Sequence, residues 1–169
     1  MITLRMMSTA LLWNSRDELL MMKRSMSRKL SPGLWAAVGG HLEPDELNNP
    51  RAACLREIYE ETGIEYDEIE GLRMQYVLLR LNGDEVRQQF FYIGNTDVNP
   101  RIETSEGSLH WIHREDILER PLPYIFRALL EHYFTVGLTP HPWVGSAGLH
   151  PESGLPTIHW HPLVDPEQV

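Results

Sequence analysis

The alternation of apolar and polar stretches along the chain predicts a protein of mixed strands and helices. Two apolar-rich runs, 4–13 and 18–25, flank the polar sequence Asn-Ser-Arg-Asp, a pattern typical of a β-hairpin. A polar loop is expected over 26–32. A short apolar strand over 34–38 then leads into a pair of glycines.

The next segment predicts a helix and a second hairpin. The helix is expected over about 50–62, because Pro50 suits a first helical turn and Gly63 is placed to end it. Strands are expected over 72–81 and 86–93, around an Asn-Gly pair that is a strong signal for a tight turn.

Three more elements complete the main part of the chain. A strand is expected over 109–112, a short helix over 114–118 and a longer helix over 123–136, where apolar residues recur at helical spacing. Strands before, between and after two helices predict a mixed fold (α+β or α/β), built as an α/β/α sandwich around a mixed sheet. We assign residues 1–136 to this domain.

The C-terminal extension, 137–169, differs in composition because it is rich in Pro, Gly and His. Its runs 143–149 and 157–163 predict an extra hairpin, packed on the same domain or at a dimer contact. A metal site is the weaker interpretation of its histidines, since no cysteine or close acidic triad accompanies them. Those histidines are His141, His150, His159 and His161.

Composition limits the function classes. A chain of 169 residues with 42% hydrophobic residues suits a single domain with its own hydrophobic core. The formal charge of -9 argues against binding a nucleic-acid polymer, which normally requires a basic surface.

Cys54 is the only cysteine, so no intrachain disulfide is expected and a cytoplasmic location is the default. No apolar run is long enough to span a membrane.

The predicted helix over 50–62 carries the candidate chemistry. Glu57, Glu60 and Glu61 stand at positions i, i+3 and i+4, so their carboxylates share one face and repel one another. A cation would remove that repulsion, and hard divalent ions prefer carboxylate oxygens. The alternative is an ordinary solvated acidic face, which the Gly39-Gly40 pair before the helix makes less attractive.

This segment resembles the signature of the Nudix hydrolases: Gly, five residues, Glu, seven residues, then Arg-Glu-apolar-x-Glu-Glu-x-Gly-apolar. The stretches 40–46 and 56–64 match its first and last parts. Between them lie nine residues, 47–55, where the family pattern has seven. We expect the two extra residues in the turn-forming run 48–50, so that the insertion lengthens the loop and spares the carboxylate face. Whether Glu46 reaches the site depends on this loop.

The resemblance implies a site for Mg²⁺, with Mn²⁺ as an alternative. Its implied ligands are the carbonyl of Gly40 and the carboxylates of Glu57, Glu60, Glu61 and, from a later loop, Glu106. Glu60 is expected to be the most essential catalytic residue, with Glu57 beside it. Arg56 is expected to orient a neighbouring carboxylate by a bidentate pair. The general base stays open between these helix carboxylates and an acid from elsewhere.

Outside the signature, each candidate has a plain structural alternative. Glu106 is preferred to Glu103 as the further acidic ligand from the later loop, although either side chain is also compatible with an ordinary solvated loop. Lys23 and Arg24 are candidates for contacts with phosphates, or ordinary strand-end charges. The remaining candidates are expected to bind the nucleotide through close backbone approach or ring stacking, although a core role is favoured for any single ring. They are Gly39, Trp35 and Tyr92.

Three functions are compatible with these residues. The leading one is Mg²⁺-dependent hydrolysis of a nucleoside triphosphate, such as 8-oxo-dGTP, to a monophosphate and pyrophosphate. Glu-Gly-x-Leu-x-Trp and Leu-x-Arg-Pro-Leu-Pro resemble segments of oxidised-nucleotide hydrolases and support it. The second is hydrolysis of ADP-ribose or a nucleotide sugar. The third is a non-catalytic nucleotide sensor, which need not keep three mutually repelling carboxylates. A homodimer is compatible with the tail and the acidic surface.

Overall fold

The computed structural model describes residues 1–27 and 32–168. Within them the chain forms nine strands and three α-helices. The strands are β1 Thr3–Trp13, β2 Glu18–Arg24, β3 Trp35–Ala36, β4 Val38–His41, β5 Glu70–Asn82, β6 Glu85–Asn95, β7 Gly107–His113, β8 Trp143–Leu149 and β9 Pro156–Pro162. The helices are α1 Pro50–Thr62, α2 Arg114–Ile117 and α3 Tyr124–Val136.

The strands form one mixed sheet in the order β3-β2-β1-β6-β5-β8-β9, with β4 paired to β1 and β7 paired to β2. The pairs β1–β6 and β5–β8 are parallel, and the other pairs are antiparallel. The mixed sheet predicted from the order of elements is confirmed.

Helices cover both faces of this sheet. On β1, Ala10 and Leu12 pack toward α1, whereas Leu11 and Trp13 pack toward α2 and α3. This alternation follows from the strand period of two, which sends successive side chains to opposite faces. The α/β/α sandwich is therefore confirmed, and we refer to its two sides as the α1 side and the α3 side.

Residues 48–50, where the two extra residues are expected, lead into the start of α1. Asn49 caps the helix, with its side-chain Oδ1 accepting a hydrogen bond from the Ala52 N–H at 3.2 Å. Pro50 takes the first helical position. At the other end Gly63 adopts φ 72°, a left-handed conformation that suits glycine, and its N–H donates to the Tyr59 carbonyl at 2.8 Å. The predicted bounds of the helix are confirmed, whereas the place of the two extra residues stays a prediction.

Two sequence predictions need correction. The single strand expected over 34–38 is two strands, because β3 pairs with β2 while β4 pairs with β1. The glycine pair lies inside β4 rather than after it. The hairpin turn between β5 and β6 is Gly83-Asp84, because Asn82 pairs with Glu85. The loop expected over 26–32 lies partly outside the described residues.

The C-terminal extension adds two strands to the sheet. β8 runs parallel to β5, and β9 pairs antiparallel with β8. The ring of Trp160 lies over Gly145, where a side chain would collide with it. Trp160 also packs on Tyr76 and His132, with ring centroids 5.4 and 4.7 Å away. The division of the chain near residue 136 stays a prediction. No helix in the described part of the chain has the length and apolar character needed to cross a membrane.

Candidate active site

The candidate site is formed where α1 passes over β4. The backbone N–H of Gly39 donates to Oε2 of Glu61 at 3.0 Å. A Cβ on Gly40 would lie 2.5 Å from Oε1 of Glu57, so any side chain at this position would displace that carboxylate. The two glycines therefore let the strand backbone and two helix carboxylates meet directly.

Arg56 connects the carboxylates of the signature. Its Nε and Nη2 donate to the two carboxylate oxygens of Glu46 at 2.8 and 2.9 Å, which is a bidentate pair. Its Nη1 donates to Oε1 of Glu57 at 2.9 Å and to Oε2 of Glu60 at 3.1 Å. Glu46 thus reaches the helix despite the longer loop, and the hydrogen bonds from Arg56 lower the pKa of Glu46.

Two carboxylates in the site are costly to ionise. Burial raises the pKa of Glu61 to about 8, and the charges of Glu57 and Glu106 add to this, while the Gly39 N–H acts against it. Burial also raises the pKa of Glu57, although the hydrogen bond from Arg56 opposes the shift. Such shifts, caused chiefly by burial, are typical of functional sites.

These donors fit a hard divalent cation in an open site. Carboxylate and backbone carbonyl oxygens are the ligands such ions prefer, and a bound cation would favour the ionised form of Glu61. Among the residues the structure describes, no group of three or more His, Cys, Asp or Glu side chains is arranged so that it could hold a metal ion. Arg56 donates a hydrogen bond to one oxygen each of Glu57 and Glu60. Phosphate oxygens of a substrate would complete such a site.

Glu106 lies close to these carboxylates. It immediately precedes β7, where its carbonyl accepts a hydrogen bond from the Ser25 N–H at 2.9 Å. Its negative charge raises the pKa of both Glu57 and Glu61. The structure therefore brings the late acid toward α1, while Glu103 lines an adjacent cavity.

The two basic residues at the end of β2 lie on opposite sides of the sheet. Arg24 follows Leu20 by four residues and shares the α1 side with it, and its charge lowers the pKa of Glu61. Within the described residues its buried Nε has no hydrogen-bond partner. Lys23 pairs with Trp35 and falls on the α3 side. The structure thus brings Arg24 near the carboxylates and separates Lys23 from them.

The two predicted stacking rings are in the core. Trp35 is 7% exposed on the α3 side, and Tyr92 is 4% exposed beneath α1. The Arg120 guanidinium lies 5.2 Å from the centroid of the Trp35 ring. Burial raises the pKa of Tyr92 to about 12. Both positions agree with the core role that the sequence favoured, and neither ring offers an open face for a base.

An open aromatic cavity lies elsewhere on the α1 side, and we call it the Trp111 cavity. Its volume is about 530 Å³, and Trp111 Nε1 donates to Asn99 Oδ1 at 3.0 Å at its wall. Trp111 pairs with Leu20 across β2 and β7, which fixes its side of the sheet. Trp111 was not among the binding candidates predicted from the sequence. The alternation of residues in Gly-x-Leu-x-Trp after Glu106 is the sequence signal that could have indicated Trp111.

Comparison with known proteins agrees with this geometry. A family model described as the NUDIX domain matches residues 4–133. A mutator MutT protein from Bacillus halodurans is 16% identical, with a TM-score of 0.70 over 92% of this chain and 97% of that one. A MutT NUDIX hydrolase from Burkholderia pseudomallei is 25% identical, with a TM-score of 0.63 over 76% and 97%. An Ap4A hydrolase from C. elegans is 16% identical, with a TM-score of 0.62 over 79% and 99%.

The chain belongs to the Nudix family, and it is a Nudix hydrolase. Enzymes of this family act on nucleoside diphosphate derivatives, generally with a divalent metal ion. The resemblance noted in the signature between Gly40 and Ile64 is confirmed.

Proposed function

We propose that this enzyme hydrolyses a phosphoanhydride bond of a nucleoside triphosphate, with 8-oxo-dGTP as the leading candidate, to a monophosphate and pyrophosphate. The proposal rests on one observation: the carboxylates of Glu57 and Glu61 contact the Gly39-Gly40 backbone, and the pKa of each carboxylate is raised. Acidic side chains hold the metal ions that bind a polyphosphate, and glycine backbone beside them lets the ligand approach closely.

The proposed metal ligands are the Gly40 carbonyl and the carboxylates of Glu57, Glu60, Glu61 and Glu106. When bound, Mg²⁺ or Mn²⁺ neutralises phosphate charge and lowers the pKa of a coordinated water. Arg56 acts as a positioning residue, because its guanidinium fixes Glu46, Glu57 and Glu60 relative to one another. A carboxylate of this group accepts the proton of the attacking water.

The proposed substrate contacts lie on the α1 side. Arg24 is suited to phosphate, because its buried Nε has no hydrogen-bond partner in the described part of the chain and its charge acts on Glu61. The Trp111 cavity is suited to the base, because it combines an indole ring with the polar groups of Asn99 and Thr104. Lys23 stays a weaker candidate on the opposite side. A cytoplasmic location and a homodimer are further predictions.

The first experiment measures product release from 8-oxo-dGTP, dGTP, ADP-ribose and a nucleotide sugar with Mg²⁺. The variant is Glu60→Gln, and the matched control is Glu131→Gln on α3. The two side chains are 53% and 54% exposed, and each pairs with an arginine four residues earlier, Arg56 and Arg127. We expect Glu60→Gln to lower kcat/KM by about 100-fold or more and Glu131→Gln to leave it unchanged.

The outcomes separate the three functions. Turnover of 8-oxo-dGTP in preference to the other compounds supports the proposal. Turnover of ADP-ribose or the nucleotide sugar instead moves the substrate to the second class. Nucleotide binding without turnover of any compound contradicts the enzymatic proposal and favours a sensor.

A further inference from the structure

Three arginines lie side by side across the sheet, and we call them the arginine row. Arg5 of β1 pairs with Arg87 of β6, and Arg87 pairs with Arg80 of β5. Residues directly opposite one another in a sheet point to the same face. Arg80 follows Leu78 by two residues and therefore shares the α3 side with it. All three guanidinium groups thus emerge on the α3 side, at the end of the sheet where β1 begins.

The arginine row has too few acidic partners to balance its charge. Glu85 accepts hydrogen bonds from Nε of Arg5 at 2.5 Å and from Nε of Arg87 at 2.7 Å, one on each carboxylate oxygen. Within the described residues Arg80 has no hydrogen bond or ion pair. One carboxylate against three guanidinium groups leaves the row with a net charge of +2, in a chain whose formal charge is -9.

The imbalance acts mainly on Arg80. Its side chain is partly buried, and burial together with the charge of Arg87 lowers its pKa, while Glu85 opposes the shift. A charged group that is taken out of water is normally paired, because it otherwise loses hydration without compensation. An anion placed over the row would supply the missing partner.

The arginine row is accessible to such an anion. The side chain of Arg5 is 46% exposed and that of Arg87 is 21% exposed. A cavity of about 640 Å³ also opens beside β1, and Arg5, Glu85 and His41 line it. His41 adds no charge there, because its Nε2 accepts a hydrogen bond from Nη1 of Arg5 at 3.1 Å. The way in is therefore free of negative charge other than Glu85 on the cavity wall.

The chemistry of the row suits phosphate. Guanidinium groups present paired N–H donors that match phosphate oxygens. A phosphate monoester carries about -1.5 to -2 charges at neutral pH, close to the net charge of the row, whereas a carboxylate carries only one. No metal ion is needed to bring the ligand in, because the site itself is cationic.

We propose that the arginine row binds the dianion of a phosphate monoester, held by the guanidinium groups of Arg80 and Arg87. The inference does not rest on the proposed function, because none of the carboxylates of the candidate active site is among the charges that act on Arg80. Free phosphate and the phosphate group of a nucleotide share the required chemistry, and the test distinguishes these two sources.

The test is a calorimetric titration of the metal-free protein with inorganic phosphate in EDTA. We expect saturable binding with a Kd of about 1 mM or lower. Arg80→Met removes the guanidinium group and should weaken binding by about 10-fold or more. Arg73→Met is the matched control, because Arg73 lies on the same strand and pairs with Ile93 of the α3 side, and within the described residues it too lacks a hydrogen bond or ion pair. This control should leave the affinity within about twofold.

Two further variants test the charge and the donor geometry separately. Arg80→Lys keeps the charge but not the paired donors, so its affinity should fall between those of the natural protein and Arg80→Met. Glu85→Gln removes the one negative charge and keeps an oxygen for the arginines. It should tighten phosphate binding by about threefold. Thermal unfolding without phosphate checks that each variant is folded.

The same titration with AMP identifies the source of the dianion. Binding of AMP about 10-fold tighter than phosphate, and weakened by Arg80→Met, assigns the row to a nucleotide. An AMP affinity equal to or below that of phosphate assigns it to free phosphate.

The inference is overturned if neither phosphate nor AMP binds saturably to the natural protein. Equal losses of affinity in Arg80→Met and Arg73→Met, or weaker binding by Glu85→Gln, also overturn it. Hydrolysis with Mg²⁺ is measured separately, so failure of either proposal leaves the other standing.

Discussion

Glu61 is the residue at which function conflicts most directly with stability. Its carboxylate is buried between α1 and β4, and one backbone N–H, from Gly39, donates to it. Ionising it without a cation is costly, because burial removes water and the charges of Glu57 and Glu106 add repulsion. Sites that bind charged ligands commonly keep such a group at the expense of stability.

Replacing Glu61 by Gln should therefore stabilise the metal-free protein at neutral pH. The folded-state pKa of about 8 lies above the ordinary value of 4.5. Folding thus takes up a proton between these values, and the free energy of unfolding falls as pH rises through this window. Gln keeps an oxygen for the Gly39 N–H but does not ionise. We expect Glu61→Gln to raise Tm by several degrees at pH 8.

Thermal unfolding from pH 4 to 8.5 in EDTA is the measurement. The difference between Glu61→Gln and the natural protein should vanish near pH 4, where both side chains are neutral. Parallel Tm profiles over the whole range would contradict the raised pKa. Added Mg²⁺ should stabilise the natural protein more than the variant at pH 8, because the variant lacks the ionised ligand.

The approach of β4 to α1 is the element-scale feature on which the site depends. Gly39 and Gly40 pair with Thr9 and Ser8 of β1, so the sheet fixes the backbone position beneath the helix. Asn49 and Gly63 set where α1 begins and ends. The helix axis and the strand are thus positioned independently of any ligand.

A methyl group at Gly40 should disturb the site without unfolding the protein. The added Cβ would lie 2.5 Å from Oε1 of Glu57 and would displace that carboxylate. We expect Gly40→Ala to lower kcat/KM by about 100-fold, since small displacements of reacting groups have effects of this size. Gly148→Ala is the matched control, because nothing lies within 4 Å of its added Cβ. Comparable losses of kcat/KM in both variants would refute this explanation.

The candidate site and the C-terminal hairpin lie toward opposite ends of the sheet. The carboxylates lie near β4 and β7, whereas the C-terminal hairpin extends the sheet beyond β5. Tyr76 of β5 and His132 of α3 pack against Trp143 and Trp160 of that hairpin. This aromatic cluster attaches the hairpin to the α3 side.

Trp160→Ala should destabilise the protein while leaving catalysis unchanged. Removing the partly buried Trp160 takes away its packing on the rings of Tyr76 and His132, and we expect a loss of about 2–4 kcal/mol in the free energy of unfolding. Urea denaturation measures this loss, and kcat at 25 °C should stay within about twofold because the cluster does not touch the carboxylates. A large fall in kcat with the fold intact would show coupling between the two ends.

The strands and α1 were largely predictable because local chemistry specifies them. Apolar-rich runs on either side of a polar turn marked β1 and β2, and the Pro50 and Gly63 signals marked α1 to the residue. The break between β3 and β4 was not predictable, because it depends on which neighbouring strand each segment pairs with. The pairing partner is a nonlocal choice that a short apolar run does not encode.

For the site itself, the sequence alone determined that Glu57, Glu60 and Glu61 share a helix face, because helical spacing is a local property. The family followed from the same segment. Only the tertiary structure decided that Arg56 holds Glu46, that Arg24 rather than Lys23 lies on the side of the carboxylates, and that Trp111 lines a cavity while Trp35 is buried. Strand alternation can indicate that two side chains share a face, but what covers that face is decided by elements distant in the sequence.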